Sequence, residues 1–191
     1  MCGRYTFFTD KELKEIDDII EQVSNDVKAK EMKTGEIFPT DLAPVLMPER
    51  NKVTAHLLSW GYPSFHGKSV IINARSETAG EKRMFKSSLA ARRCVIPSTG
   101  FYEWDDKKKK FLFNLPNTGV LYMAGLYGVF EGENRFVILT TNSNRSVSAI
   151  HDRMPVVLVK SRVEDWLFNN NAVDEILFGE HPALIKTAAS A

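Results

Sequence analysis

Cysteine is scarce in this chain. Cys2 and Cys94 are the only two among 191 residues, too few to staple a domain of this size and too few for a closed four-cysteine zinc site. No apolar run approaches the roughly 20 residues that a membrane-spanning helix needs, and the N-terminus lacks the basic-then-apolar pattern of a secretory signal. A soluble, cytoplasmic protein is therefore expected, with no membrane partner. Charge of one sign is missing as well: 25 Lys and Arg against 24 Asp and Glu leave +1, which limits nucleic-acid binding to a local basic patch. No repeat, low-complexity tract or linker divides the sequence, and its one charge run, 105–110, is short. With 43% hydrophobic and 26% charged residues, disordered, collagen-like and coiled-coil architectures are set aside, and a single domain over 1–191 is expected.

Periodicity then gives the elements. Thr9 with Glu12 forms a capping-box pattern ahead of Leu13, Ile16, Ile19, Ile20 and Val23, which fall on one helical face. The spacing predicts a helix from about residue 10 to 24, its apolar stripe packed on a sheet. Short apolar and β-branched runs punctuated by Pro and Gly follow at 43–47, 53–60, 70–72, 94–96, 101–104, 111–115, 120–126, 136–140 and 156–159, and they predict strands. Helical spacing returns at 85–92, 147–150, 163–168 and 173–177. Strands and helices interleave without the long crossovers of a doubly wound sheet, so an α+β fold with largely antiparallel strands is predicted.

The most informative chemistry is at the start. Met1-Cys2-Gly3-Arg4 offers a cysteine that becomes N-terminal once the initiator methionine is removed. Such a residue carries an α-amine with a pKa near about 7.7 to 8.0 beside a thiol near about 8.5. With an aldehyde the amine forms an imine, and the thiol closes on it to a five-membered thiazolidine that resists hydrolysis. The plain alternative is an inert, buried cysteine.

Three further segments carry polar groups in informative places. Asn73 and Arg75 stand two apart in Ile72-Asn73-Ala74-Arg75-Ser76-Glu77-Thr78, on one side of an extended chain. Alternation in Phe101-Tyr102-Glu103-Trp104 puts Glu103 on the face of Phe101, where desolvation raises its pKa toward the range of a neutral-pH proton shuttle. His151 has Asp152 and Arg153 as neighbours, and Pro155 stops any helix before it. Taken singly, each has a structural reading: Asn73 satisfying a turn, Glu103 pairing with a lysine, His151 capping a helix C-terminus. Trp60 and Trp104 suit a core as well as a ligand face.

Together, MCGRY at the start, WGYP at 60–63, NARSET at 73–78, RCVIPSTGFYEW at 93–104, AGLY at 124–127 and HDRMPVVL at 151–158 resemble one family, the SOS response-associated peptidases (SRAP). The likeness runs from residue 2 to about 159. It differs from the family's pattern in a short stretch after Trp60 carrying Tyr62, and in a shortened part after Val159 that ends Ala188-Ala189-Ser190-Ala191.

The resemblance implies a single α+β domain with a barrel-like β core, peripheral helices and a basic groove for single-stranded DNA. It also implies Cys2 as the covalent residue that captures abasic sites, with Asn73, Glu103 and His151 as its supporting residues. Combined with the residue chemistry, it leads us to expect a DNA-protein crosslink made by Cys2. Arg4, Arg75 and Arg153 are the candidates for phosphate contacts, and Trp60 and Trp104 for base stacking. No metal or cofactor is expected, and the protein is expected to act as a monomer in a bacterial cytoplasm, nucleoid-associated when bound to DNA. A peptidase activity would release whatever precedes Cys2, here Met1 alone. Two other classes remain open at this point: an N-terminal-nucleophile amidohydrolase, which also begins Met-Cys-Gly, and a noncovalent binder of single-stranded nucleic acid.

Overall fold

The computed structural model describes residues 2–9, 13–64, 67 and 69–189. In chain order the first elements are β1 (Tyr5–Phe7), α1 (Lys14–Val23), β2 (Gly35–Ile37), β3 (Leu42–Glu49), β4 (Lys52–Trp60), β5 (Tyr62–Pro63), β6 (Val70–Ile71) and β7 (Asn73–Arg75). Next come α2 (Ser76–Ala79), α3 (Arg83–Ala91), β8 (Arg93–Ser98), β9 (Gly100–Trp104) and β10 (Lys110–Asn114). The last are β11 (Leu121–Phe130), β12 (Glu133–Asn142), β13 (Arg153–Pro155), β14 (Val157–Leu158), α4 (Val163–Phe168), α5 (Val173–Phe178) and β15 (Ile185–Ala188).

Five strands close on themselves in the order β12-β4-β3-β8-β11, with β11 returning to β12. Only the β12–β4 seam is parallel; the other four pairings are antiparallel. Two tight hairpins build this barrel. Arg50 and Asn51 join β3 to β4, and Glu131 and Gly132 join β11 to β12, all four at positive φ. Such two-residue turns match the right-handed twist of the strands they connect. The barrel is filled by side chains of one face of its wall, such as Val45, Leu58, Ile96 and Ile138, all essentially without solvent contact.

A second sheet, in the order β15-β10-β9-β1-β2, lies beside the barrel. The chain passes from one to the other between β8 and β9, at Gly100. There φ is +157°, and a Cβ would stand 2.8 Å from the Leu112 side chain and 2.9 Å from the Phe113 carbonyl, so only glycine fits. Ser98 Oγ accepts from the Gly100 amide and donates to the Gly100 carbonyl, at 2.9 and 2.8 Å, pinning the turn.

Helix α1 buries Ile16, Ile19 and Val23 against β3 and β4, where Gln22 Oε1 accepts the Ala55 amide at 3.0 Å. The expected stripe is present. Its capping box lies outside the described residues at Glu12, and the helix begins at Lys14 with no side-chain cap at Leu13. The helix expected at 147–150 is instead a pair of turns, in which Asn144 Oδ1 accepts from both the Ser146 amide and hydroxyl. That side chain competes with the backbone for local hydrogen bonds and stops a helix from propagating.

Candidate functional site

Strand pairing brings the candidate residues together from opposite ends of the sequence. Strand β1 lies between β9 and β2, and the Arg4 carbonyl accepts the Tyr102 amide at 2.9 Å, so the chain start runs alongside β9. The second half of β12 is flanked by β7, which carries Asn73, on one side and by β13, which follows His151, on the other. Asn73 bridges the two assemblies: its Nδ2 donates to the Cys2 carbonyl at 2.9 Å. Its Oδ1 is buried and has no hydrogen-bond partner among the described residues, an acceptor held in the site without a donor.

Cys2 is fully buried, and its thiol donates to the Arg4 carbonyl at 3.7 Å. Burial pushes that thiol far above its ordinary range, and the negative charge of Glu103 adds to the shift. Glu103 is itself only 2% exposed on β9. Burial raises its carboxyl, and the neighbouring His151 works in the other direction without cancelling the effect. The alternation expected in this strand is present, with Tyr102 and Trp104 sharing the other face at 6.3 Å between ring centroids.

His151 Nδ1 stands 3.0 Å from two groups, the Arg153 amide and the Asp152 carboxylate. The first requires an unprotonated Nδ1 and the second a protonated one. The amide is held by the backbone while Asp152 is 86% exposed, so the amide bond governs the orientation of the ring.

Arg4 lies on the outer face of the second sheet. Its guanidinium packs over Phe38 at 4.3 Å and Trp104 at 5.3 Å, and Nη1 donates to Glu36 at 3.0 Å. Glu36 also accepts from Lys110 Nζ at 2.5 Å, and that ammonium sits 4.0 Å above the Tyr102 ring. Burial works to raise the Glu36 carboxyl, but the two cations outweigh it and hold it below the ordinary range. Arg75 is exposed at the end of β7.

Two of the expected DNA contacts are placed elsewhere. Trp60 is 0% exposed; it stacks on Phe136, meets Tyr5 edge-on, and gives its indole N–H to the Ile72 carbonyl at 3.0 Å. No base reaches it, because its flanking strands belong to the barrel seam. Arg153 is 7% exposed. Its guanidinium makes a two-pronged pair with Glu77 at 2.6 and 2.9 Å and donates to Asn142 Oδ1 and the Thr140 carbonyl, so it braces β13 against α2 rather than facing a phosphate.

Sequence reasoning gave no role to Glu36 and Phe38, whose surroundings carry no motif, nor to Glu77, although it lies within the NARSET segment. It also took the run 105–110 for a short charge run, although Lys110 is 7% exposed; the strand alternation of β10 was the available signal. Among the described residues no group of three or more His, Cys, Asp or Glu side chains converges as a metal site, and no helix is long and apolar enough to cross a membrane.

The SOS response associated peptidase (SRAP) family profile matches residues 1–185. The chain belongs to the SRAP family. It is 34% identical to the abasic site processing protein YoqW of Bacillus subtilis, over 93% of this chain and 84% of that one. It is 29% identical to the abasic site processing protein YedK of Escherichia coli, over 87% and 79%. In fold it matches a crystal structure of a Bordetella bronchiseptica protein with a TM-score of 0.78, at 21% identity and over the full length of both chains. An SRAP member with a single barrel and an adjoining sheet is thus what the sequence words and the strand order both describe.

Proposed function

We propose that this protein captures abasic sites in single-stranded DNA through Cys2, once Met1 is removed, and shields the lesion as a thiazolidine crosslink. One observation carries the proposal: Cys2, Asn73 and a Glu103 whose carboxyl is raised by burial converge, with His151 beside them, at the junction of barrel and sheet. Membership of a family whose relatives are named abasic site processing proteins supports it.

The buried thiol is held in its protonated form, which makes it a poor opening nucleophile, so the α-amine attacks first. An abasic sugar equilibrates with a ring-opened aldehyde; the amine adds to its carbon, and Glu103 protonates the departing hydroxyl as water leaves. The sulfur then adds to the imine carbon, and the S–H proton ends on the nitrogen. Asn73 holds the Cys2 backbone through its carbonyl, and His151 hydrogen-bonds a sugar hydroxyl or phosphate. Glu103 serves the reverse reaction and any lyase or peptidase step by the same proton transfer. Arg4 and Arg75 contact phosphates, and Trp104 stacks on a base. The protein works as a cytoplasmic monomer on one strand.

The test is denaturing electrophoresis after incubation with single-stranded DNA carrying one abasic site. A heat-stable adduct is expected, stronger than on a fully paired duplex. Protein shown by mass spectrometry to retain Met1 gives none, because its Cys2 nitrogen is an amide. Equal adduct from Met1-bearing protein replaces this mechanism with an ordinary thiol reaction.

A further inference from the structure

The charge run 105–110 and the last strand of the chain have no role in the chemistry above, yet they meet on the sheet face that carries Glu103. Phe111 on β10 pairs directly with Glu103 on β9, and Ala188 on β15 pairs directly with Phe111. Directly paired residues of neighbouring strands share a face, as do residues two apart along one strand. Lys109, two residues ahead of Phe111, and Lys186, two ahead of Ala188, therefore fall on the Glu103 face. Their ring contacts agree: both ammoniums lie over the Phe111 ring, each 5.3 Å from its centroid.

The same alternation divides the lysine run. Lys110 turns to the opposite face, is 7% exposed and is neutralised by Glu36. Lys109 and Lys186 are exposed. Among the described residues the lysines held in ion pairs are Lys28, Lys110 and Lys160, which leaves these two without a carboxylate. Asp105 Oδ1 accepts the Lys107 and Lys109 amides at 2.9 and 2.8 Å, fixing how Lys109 enters β10. Strand β15 is the edge of its sheet, and one lysine there is enough to deter pairing with another sheet. Two like charges drawn to a single ring go beyond that need, and they repel one another until an anion joins them.

We propose that Lys109 and Lys186 form a clamp for a backbone phosphate of the DNA strand beside the abasic nucleotide. The inference rests on the abasic-site reading. Strand β15 lies two strand spacings from Glu103 on β9, about 10 Å, so a sugar held at Glu103 leaves the adjoining phosphodiester within reach of two long lysine stems. A compact ammonium binds phosphate as a point charge and tolerates a backbone of variable course. The Phe111 face keeps both heads on the site's side of the sheet. The clamp binds the strand and takes no part in proton transfer.

The test compares the double variant Lys109→Gln/Lys186→Gln with a control, Lys52→Gln/Lys86→Gln, which removes two exposed charges from the start of β4 and from α3. Binding is measured on a single strand carrying a tetrahydrofuran analogue of the abasic sugar, which has no aldehyde form and cannot crosslink. The clamp variant is expected to bind about fivefold more weakly at moderate salt, with the logarithmic salt dependence flattened by about 1.4, while the control matches the parent. Its crosslinking rate on true abasic DNA at saturating protein stays at the parent value. Replacing single phosphodiesters beside the analogue with neutral methylphosphonates locates the contact: the parent loses affinity at a linkage where the clamp variant loses none. An unchanged salt slope, an equal loss in the control, a lowered saturating rate, or methylphosphonate losses identical in variant and parent each overturn the proposal. If the parent forms no adduct with abasic DNA, the abasic reading fails, and the salt slope on an undamaged strand still decides the clamp: equal slopes in parent and variant reject it.

Discussion

The two cysteines occupy regions alike in burial and unlike in everything else. Both are free, both are 0% exposed, and burial drives both thiols above their ordinary range. Cys94 sits in the barrel wall opposite Gly125, where an added Cβ would meet Ile96 at 2.3 Å and the Val137 carbonyl at 2.8 Å. Desolvation alone acts on it. Around Cys2, the same lack of water encloses the Glu103 carboxyl and the Asn73 Oδ1, which has no partner among the described residues. Dry packing makes a thiol inert; dry packing with polar groups held ready makes a place where a polar reaction is stabilised, because each interaction there is stronger than in water.

The sharpest way to break that contrast is to exchange the thiols' roles. Cys2→Ala should abolish the heat-stable adduct on single-stranded abasic DNA, while Cys94→Ala should retain it. Loss of the adduct in a folded Cys94→Ala protein would end the distinction between the two regions.

Glu103→Gln should slow adduct formation about 100-fold, measured as single-turnover crosslinking. Stability moves the other way. The folded carboxyl lies above its unfolded value, so Glu103 favours the native state while protonated, and that contribution is lost as pH rises through the raised folded pKa. The variant should therefore melt higher than the parent at alkaline pH and nearly with it at pH 4. A parent whose stability does not decline as pH rises above the unfolded value of about 4.5 would show that the carboxyl is solvated.

Glu77→Ala removes the charged partner of the nearly buried Arg153 and should cost about 3 kcal/mol in urea unfolding. Here the sign is opposite to that of Glu103. The hydrogen bond from Arg153 is the main cause that holds Glu77 below the ordinary carboxylate range, so its stabilisation is present above the unfolded value of about 4.5 and fades as pH falls through the lowered one. Its effect on crosslinking should follow the unfolded fraction only, whereas a rate loss in fully folded protein would return Arg153 to the DNA site.

The smallest effects belong to the rim. Arg4→Ala or Arg75→Ala should weaken noncovalent binding to single-stranded DNA by a few-fold at moderate salt. Each should flatten the logarithmic salt dependence by about 0.7. An unchanged slope in both would separate these arginines from the bound strand.

Much of this architecture is legible in local pattern. The buried face of α1, most of the barrel strands and the inward turn of Glu103 follow from periods of 3.6 and 2 that short segments carry by themselves. The three-residue strands β1, β2 and β13 escape such reading, and so does the wholly exposed edge strand β15. They exist because a neighbouring strand pairs with them, and nothing in three residues announces a distant partner. Trp60 and Arg153 escaped for a related reason: an indole or a guanidinium serves a surface or a core equally well until the packing around it is known.

What the sequence by itself determined is covalent and local: a cysteine one residue from the start, an aromatic strand with a single carboxylate, an amphipathic helix, and the ordered set of words that mark the family. Only the tertiary structure decided which of these groups meet. Closing β12 against β4 removed Trp60 from solvent, and pairing β1 with β9 and β7 with β12 set Cys2 beside Glu103 and Asn73. Water exclusion at that junction raised the carboxyl, and among the described residues the buried Tyr5 hydroxyl has no partner. Desolvation and proximity depend on contacts between residues far apart in the chain, so no local pattern encodes them.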